Sequence, residues 1–187
     1  MAKTDEGYEL NGEKVRTSVD EEVQRFIDRK KPPKPTNKVT EAARKYKREI
    51  EDKTKEDLKD IFHRHIDENG DRRVTPIPHT NPSSVNPLNN DFYNTLDGNI
   101  NDRLALYETG TKFMTFFNVY NGINTAGQID MLAITPDGKV DILQFKVPEL
   151  GYEATDIARF RQEAYNFEIE SLRKILEKGY GVRRDQF

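Results

Sequence analysis

The sequence of 187 residues contains no cysteine and only three histidines. The lack of cysteine excludes disulfides, thiolate nucleophiles and metal sites built on thiolates. It leaves His63, His65 and His79 as the only imidazole groups for ligating a metal. A chain without cysteine fits a reducing compartment, so we expect a cytoplasmic protein.

Long apolar runs are also missing. No segment approaches the roughly 20 apolar residues of a membrane-spanning helix, and the opening MAKTDE lacks the apolar stretch of a signal peptide. We therefore expect no membrane partner. Charged residues make up 34% of the chain and the mean hydropathy is −0.89, which predicts that part of the chain packs no core. The net charge of −3 argues against general coating of nucleic acid.

Charge is arranged in blocks in the first half of the chain. Residues 25–48 carry ten basic and two acidic residues, whereas residues 49–71 carry four basic and nine acidic residues. The Lys/Pro-rich segment 30–38 favours an extended conformation, because each proline restricts its own φ and its predecessor. We interpret residues 1–39 as a charged arm. Its basic part either contacts a phosphate backbone or is a solvated segment.

Hydrophobic periodicity and turn signals predict a chain of mixed helices and strands. A helix is expected over residues 40–66 and an irregular, proline-rich connection over 75–99, which together make a second region, 40–99. A compact region follows over residues 100–187. It is predicted to contain a short helix at 101–108, strands at 112–120, 127–135 and 139–147 with a turn at 136–138, a long helix at 154–178 and a final short strand at 180–187.

Three polar residues interrupt the apolar strands of this predicted hairpin. Gln144 and Lys146 are two apart, so their side chains leave one face of a strand, and antiparallel pairing brings Asp130 beside them. A carboxylate and an amide oxygen suit a hard divalent cation, while a lysine orients water or stabilises negative charge. The alternative is a solvent-facing polar stripe, which antiparallel sheets commonly carry.

The order of these motifs resembles the PD-(D/E)XK nuclease superfamily, especially its RecB-like branch. The segment GQID ends at Asp130, and after a turn the segment ILQFK ends at Lys146; the next helix carries Gln162 and Tyr165. The resemblance covers residues 100–187. It implies an α/β fold of the α+β sandwich type. The expected restriction-endonuclease-like core has a helix, three antiparallel strands, a helix and a short strand, and an N-terminal helical and extended arm precedes it.

The resemblance also implies roles for individual residues. Asp130 would bind the metal, Gln144 would occupy the (D/E) position, and Lys146 would be the signature lysine. The Phe145 carbonyl and the Glu108 carboxylate, on the preceding helix, would be further metal ligands. The expected nucleic-acid contacts are Arg159, Arg161, Gln162, Tyr165 and Lys112.

The sequence departs from the family pattern at two points. Gln144 replaces the commoner Glu or Asp, which removes a negative charge from the metal cage, although some restriction-type members carry a QxK form. Gln162 and Tyr165 are three residues apart, whereas the RecB-like motif has a spacing of four. They still share one face of a helix.

The function implied by the resemblance is hydrolysis of phosphodiester bonds in DNA with Mg²⁺ or Mn²⁺. A first alternative is a nuclease-fold subunit with a weak or inactive site, structural or adaptor in role, within a phage or other nucleoprotein assembly. Residues 1–99 would then bind protein neighbours, and the protein would lie in a phage-infected cell or virion. A second alternative is an unrelated α+β protein in which the three polar residues occur by chance.

Overall fold

A computed structural model describes residues 1–30, 41–78, 91–146 and 155–187. Within these ranges the chain forms a mixed α/β fold with four helices and two small sheets, and helices pack on the mixed sheet. The helices are α1 (Val19–Lys30), α2 (Glu41–His65), α3 (Asp91–Leu104) and α4 (Thr155–Tyr180). The strands are β1 (Ala2–Thr4), β2 (Gly7–Leu10), β3 (Glu13–Lys14), β4 (Thr17–Ser18), β5 (Lys112–Tyr120), β6 (Thr125–Ile134) and β7 (Val140–Leu143).

The mixed sheet is organised around β6. Strand β5 pairs antiparallel along one edge of β6, with Lys112 opposite Ile134. The other edge is shared, because β4 pairs in parallel with the first residues of β6 and β7 pairs antiparallel with the last. The predicted hairpin turn is confirmed, since the Thr135 amide donates to the Lys139 carbonyl at 2.9 Å. The three predicted antiparallel strands are likewise present.

Two hydrophobic cores are built on this sheet. Helices α2 and α3 pack over one of them, and helices α1 and α4 pack over the other. The first core contains Leu58, Ile61, Phe62, Ile100, Leu104, Phe113 and Met131. The second contains Val19, Val119, Ile129, Leu132, Leu172, Ile175 and Leu176. Strands β5 and β6 contribute to both cores, so they are held from both sides.

The N-terminal residues pack on the rest of the fold instead of forming an extended arm. Strands β1, β2 and β3 make a small antiparallel sheet in which Tyr8 is buried against Val15 and Ala126. Strand β4 joins the mixed sheet, and α1 contacts α4. Apart from Lys30, which ends α1, the described residues do not include the Lys/Pro-rich segment 30–38, so its predicted conformation stays a prediction.

The long helices and the hairpin strands follow the predicted bounds closely. Helices α2 and α4 and strands β5 and β6 begin and end within two residues of the expected positions. Strand β7 is shorter than predicted, so Gln144 and Lys146 follow its last paired residue, Leu143. None of the described helices is both long and apolar enough to span a membrane.

Helix α3 begins ten residues before the predicted start, at Asp91, inside the segment expected to be irregular. Tyr93, Ile100 and Leu104 each have only 1% of their surface exposed and recur on one face of the helix. Their burial offsets the weak helix propensity of the Asn and Gly residues between them. Because α3 ends at Leu104, Glu108 lies in the following turn and not on the helix as predicted.

The predicted final strand over residues 180–187 is wrong. These residues contain a 3₁₀ turn at Arg184–Gln186. The turn is held by side chains, because the Arg184 guanidinium pairs with Glu170 of α4 at 2.6 Å and the Lys139 ammonium donates to the Asp185 carbonyl at 2.8 Å. The end of the chain therefore joins α4 to the β6–β7 hairpin without adding a strand.

Asp57 on α2 is a buried acid whose ionisation affects the stability of the fold. It is fully buried, and neither carboxylate oxygen has a hydrogen-bond partner among the described residues. Burial raises the pKa of this carboxyl, so its ionisation destabilises the fold as pH rises above the unfolded value of about 3.9. We expect Asp57→Asn to raise the free energy of unfolding by about 1 kcal/mol near pH ~8, with the gain vanishing towards pH ~4. Chemical denaturation at both pH values measures the change.

Asp60→Asn is the matched control on the same helix. The Asp60 carboxylate accepts a hydrogen bond from the Tyr93 hydroxyl at 2.5 Å, so loss of its charge is expected to lower stability. A fall in stability for Asp57→Asn as large as that for Asp60→Asn would refute the interpretation of Asp57 as an unpaired buried acid.

Candidate active site

The candidate site begins at a gap in one edge of β6. Strand β4 pairs with Thr125 and Ala126, and β7 pairs only from Met131 onward. The Gln144 side chain fills the interval between them. Its Oε1 atom accepts a hydrogen bond from the Asp130 amide at 2.6 Å, and its Nε2 atom donates to the Gln128 carbonyl at 3.2 Å. The side-chain amide thus takes the place of a peptide group in the ladder.

The opposite edge of β6 is irregular at the same level. Phe116 on β5 would face Asp130, but this pair is missing from a ladder that is regular on both sides of it. Phe116 has a φ of +46°, in the left-handed region that a bulky side chain rarely adopts. Such backbone conformations cost about 1–3 kcal/mol and occur preferentially at functional sites. Asp130 therefore lies where both edges of its strand depart from regular pairing.

Side-chain alternation along β6 changes at this break. In a regular strand, residues two apart face the same side of the sheet. Ile129 nevertheless packs in the core under α1 and α4, while Met131 packs in the core under α2 and α3. Phe117 and Phe113 on β5 divide between the two cores in the same way. The change of face isolates Asp130 from both cores.

Four polar side chains converge beside the break. The Asp130 Oδ2 atom accepts a hydrogen bond from the Phe145 amide at 2.9 Å. Glu168 of α4 accepts from Gln144 Nε2 at 2.9 Å through Oε1, and from the Lys146 ammonium at 2.5 Å through Oε2. The structure therefore brings the three predicted residues Asp130, Gln144 and Lys146 together, and it adds Glu168.

Glu168 was missed by the sequence reasoning although the sequence carries a signal for it. Along α4 it stands four residues after Ala164 and four before Leu172, both of which are buried. Only 7% of Glu168 is exposed. A carboxylate on the apolar face of a helix is rarely buried without a partner. The resemblance implied Glu108, on the helix before β5, as the additional acid, and Glu168 is on the helix after β7.

The electrostatic environment of Asp130 is mixed. Burial raises the pKa of this carboxyl, while the Phe145 amide and the Lys146 charge oppose that shift and the Glu168 charge adds to it. Two further cations act on Asp130, Lys3 from β1 and Lys55 from α2. A nearby cation, whether an ammonium or a metal ion, stabilises the ionised form of a partly buried carboxylate whose pKa is raised.

Two of the predicted site residues lie at the other end of the sheet. Lys112 opens β5 opposite Ile134, four residues from Asp130 along β6, or about 13 Å at the rise of a strand. Its ammonium pairs with Asp71 at 2.8 Å. Glu108 is exposed in the turn just before β5. The structure therefore does not place Lys112 or Glu108 with the converging polar groups.

The predicted contacts on α4 differ in their proximity to the site. Tyr165 is half-buried, and the Lys146 ammonium lies 5.6 Å from the centre of its ring. Gln162 is exposed and donates to Asn166 at 2.9 Å. Arg159 is exposed and Arg161 is partly buried. Tyr165 is thus the member of this set that the structure places beside the QxK residues.

The oxygen donors fit a metal site of limited size. Within the described ranges, no group of three or more Asp, Glu or His side chains is arranged to hold a metal ion. Asp130 and Glu168 supply two carboxylates, whereas the Gln144 oxygen is already bonded to the backbone. Mg²⁺ is commonly bound through one or two carboxylates, with water and substrate phosphate completing its shell. The donor set therefore fits a cation site that substrate completes.

Comparisons with known proteins identified no relative of this chain. No family model, no curated protein and no solved structure matches the chain. A proposal for the function therefore rests on the geometry of the site.

The role of the Gln144 amide is tested by Gln144→Glu. A carboxylate at this position has no N–H for the Gln128 carbonyl and would face the Glu168 carboxylate. We expect the free energy of unfolding to fall by about 2 kcal/mol or more near neutral pH. Part of this loss should be recovered in acid, because repulsion raises the pKa of one carboxyl of the pair and protonation removes it. Denaturation curves at several pH values measure both effects.

Gln162→Glu makes the same chemical change at an exposed position of α4 and serves as the control. Surface substitutions of this kind usually change stability by less than about 0.5 kcal/mol. Equal stability of the two variants would show that the Gln144 amide does not hold the edge of β6.

Proposed function

We propose that the protein is a metal-dependent nuclease that hydrolyses phosphodiester bonds in DNA, with a centre of the PD-(D/E)XK type. The observation that carries this proposal is the convergence of Asp130, Lys146 and the buried Glu168 at one broken edge of β6. The order α3, β5, β6, β7 and α4 supports it, since a restriction-endonuclease-like core has a helix, three antiparallel strands and a helix in this order.

In this proposal Glu168 supplies the carboxylate that Gln144 lacks. Gln144 occupies the (D/E) position, but its amide is bonded to the β6 backbone and to Glu168. Asp130 and Glu168 would hold Mg²⁺ or Mn²⁺, with the Phe145 carbonyl as a further donor. A bound cation would neutralise charge on the phosphate oxygens and favour formation of hydroxide from water. Gln144 is then a positioning residue, since it fixes Glu168 relative to Asp130.

Lys146 acts on the attacking water and on the phosphate. Its side chain is 37% exposed, so it is open to substrate while its ammonium is bonded to Glu168 at 2.5 Å. From this position it orients a water for in-line attack on phosphorus and stabilises the additional negative charge as the bond to the leaving oxygen breaks. The family resemblance implies a 5′-phosphate product. Tyr165, whose ring lies 5.6 Å from the Lys146 ammonium, would contact the substrate from α4.

One observation favours a second candidate function. Both Glu168 oxygens are hydrogen-bonded within the protein, and among the residues that the structure describes no acidic cage larger than Asp130 and Glu168 is present. A closed network of this kind also suits a non-cleaving, nuclease-fold subunit that has a structural or adaptor role in a nucleoprotein assembly. In that case the network has a structural role only. It connects β6 and α4 to the segment after β7 through Gln144, Lys146 and Glu168, and it catalyses no reaction.

Cleavage assays with labelled linear, circular and single-stranded DNA distinguish the two functions. We expect cutting in Mg²⁺ or Mn²⁺, and a loss of at least about 100-fold in Asp130→Asn, Glu168→Gln and Lys146→Ala. Glu108→Gln and Lys112→Gln are controls that alter charge at the far end of the sheet, and both should retain activity.

The cleavage results distinguish the nuclease from the structural subunit, and they also test the assignment of Glu168. No cutting by the wild-type protein with either cation would support the structural subunit. Full activity in Glu168→Gln together with loss in Glu108→Gln would show that the acidic ligand comes from the turn before β5, and it would refute the assignment of Glu168.

A further inference from the structure

Two lysines outside the D…QxK pattern lie beside the candidate site. Lys3 comes from β1 and Lys55 comes from α2, and both charges act on the Asp130 carboxylate. They reach the site from separate elements that precede the resembling segment in the chain. Their positions therefore follow from the fold and not from the motif.

The small N-terminal sheet determines where Lys3 lies. Lys3 is opposite Tyr8 in the β1–β2 ladder, and its ammonium is 5.7 Å from the centre of the Tyr8 ring. Tyr8 is only 3% exposed and packs against Ala126, four residues before Asp130 on β6. The burial of Tyr8 thus holds Lys3, which lies on the same face of the small sheet, near the first residues of β6.

Helix α2 presents Lys55 from another direction. Lys59, one turn further along α2, places its ammonium 6.0 Å from the centre of the Phe116 ring. Phe116 is the residue that faces Asp130 across the irregular pair of β5 and β6. Residues four apart share a helix face, so the face of α2 that carries Lys55 borders the break.

The Lys3 and Lys55 ammonium groups are adjacent. Lys3 and Lys55 are both exposed residues. Partial burial and the neighbouring Lys55 charge lower the pKa of Lys3, while Asp20 and Asp130 oppose the shift. Neither lysine forms an ion pair within the part of the chain that the structure describes, whereas Lys146 is paired with Glu168. Two like charges side by side repel each other, and an anion between them would relieve that repulsion.

We propose that Lys3 and Lys55 together bind a backbone phosphate of the substrate, adjacent to the phosphate that is cleaved at Asp130, Lys146 and Glu168. The substrate class is then a polynucleotide with consecutive phosphodiesters, not a phosphomonoester. This inference rests on the proposed function for the identity of the reacting phosphate. The binding itself requires only that the two ammonium groups contact a phosphate chain.

A binding experiment without cleavage tests the inference. The probe is a short fluorescent DNA oligonucleotide, measured by anisotropy in EDTA over a range of salt concentrations. We expect the double variant Lys3→Gln/Lys55→Gln to bind at least about tenfold more weakly at low salt. The magnitude of the slope of log K against log salt should fall by about 0.7–0.9, because that is the contribution of one neutralised phosphate.

The matched control is Lys14→Gln/Lys53→Gln. It removes one cation from the same small sheet and one from the same helix. Lys14 pairs with Glu9 next to the Lys3–Tyr8 pair, so it lies on the other face of the sheet. Lys53 lies on a different face of α2 from Lys55. Thermal melting of both double variants verifies that they fold as the wild type does.

Three results overturn the inference or separate it from the nuclease proposal. Equal binding by the two double variants would refute the phosphate site. Competition by inorganic phosphate at the same concentration as unlabelled oligonucleotide would also refute it, since a lone phosphate would then suffice. Loss of binding in Lys3→Gln/Lys55→Gln, with no cutting by the wild type, would support the lysine site and refute the nuclease.

Discussion

The site depends on one side-chain amide that acts as a piece of backbone. Gln144 has both an acceptor and donors, so it can pair with a strand edge as a peptide group does. Through these bonds it joins Asp130 and Gln128 of β6 to Glu168 of α4. Because Lys146 is bonded to the same glutamate, the relative positions of all the polar groups follow from this network. Buried networks of this kind are costly when any member is left unsatisfied.

The break in the sheet explains how a polar site exists between two cores. Strands β5 and β6 change the faces on which their side chains lie, so Ile129 and Met131 are both fully buried although they enter different cores. Burial of one such side chain stabilises the fold by about 1.5–3 kcal/mol. This gain offsets the cost of the left-handed backbone conformation at Phe116, which is about 1–3 kcal/mol. The residue between them, Asp130, belongs to neither core, and its carboxylate joins the polar network instead.

Elements with strong local signals were predictable from the sequence, and those held by distant contacts were not. Helix α4 and strands β5 and β6 have clear periodicity or apolar runs and were confirmed. The start of α3 was not, since Asn and Gly residues of weak helix propensity separate Tyr93 and Ile100, whose burial stabilises this part of the helix. In the site, the spacing of Asp130 and Lys146 predicted their convergence. Glu168 and Lys3 come from other elements, and their proximity depends on tertiary packing.

The polarity of the Gln144 network also has an evolutionary consequence. Position 168 accepts from position 144, so a carboxylate at 144 would require a donor, such as an amide, at 168. A change to an acid at position 144 alone would place two carboxylates face to face. We therefore expect positions 144 and 168 to covary as a pair across homologues, with the single changes rare.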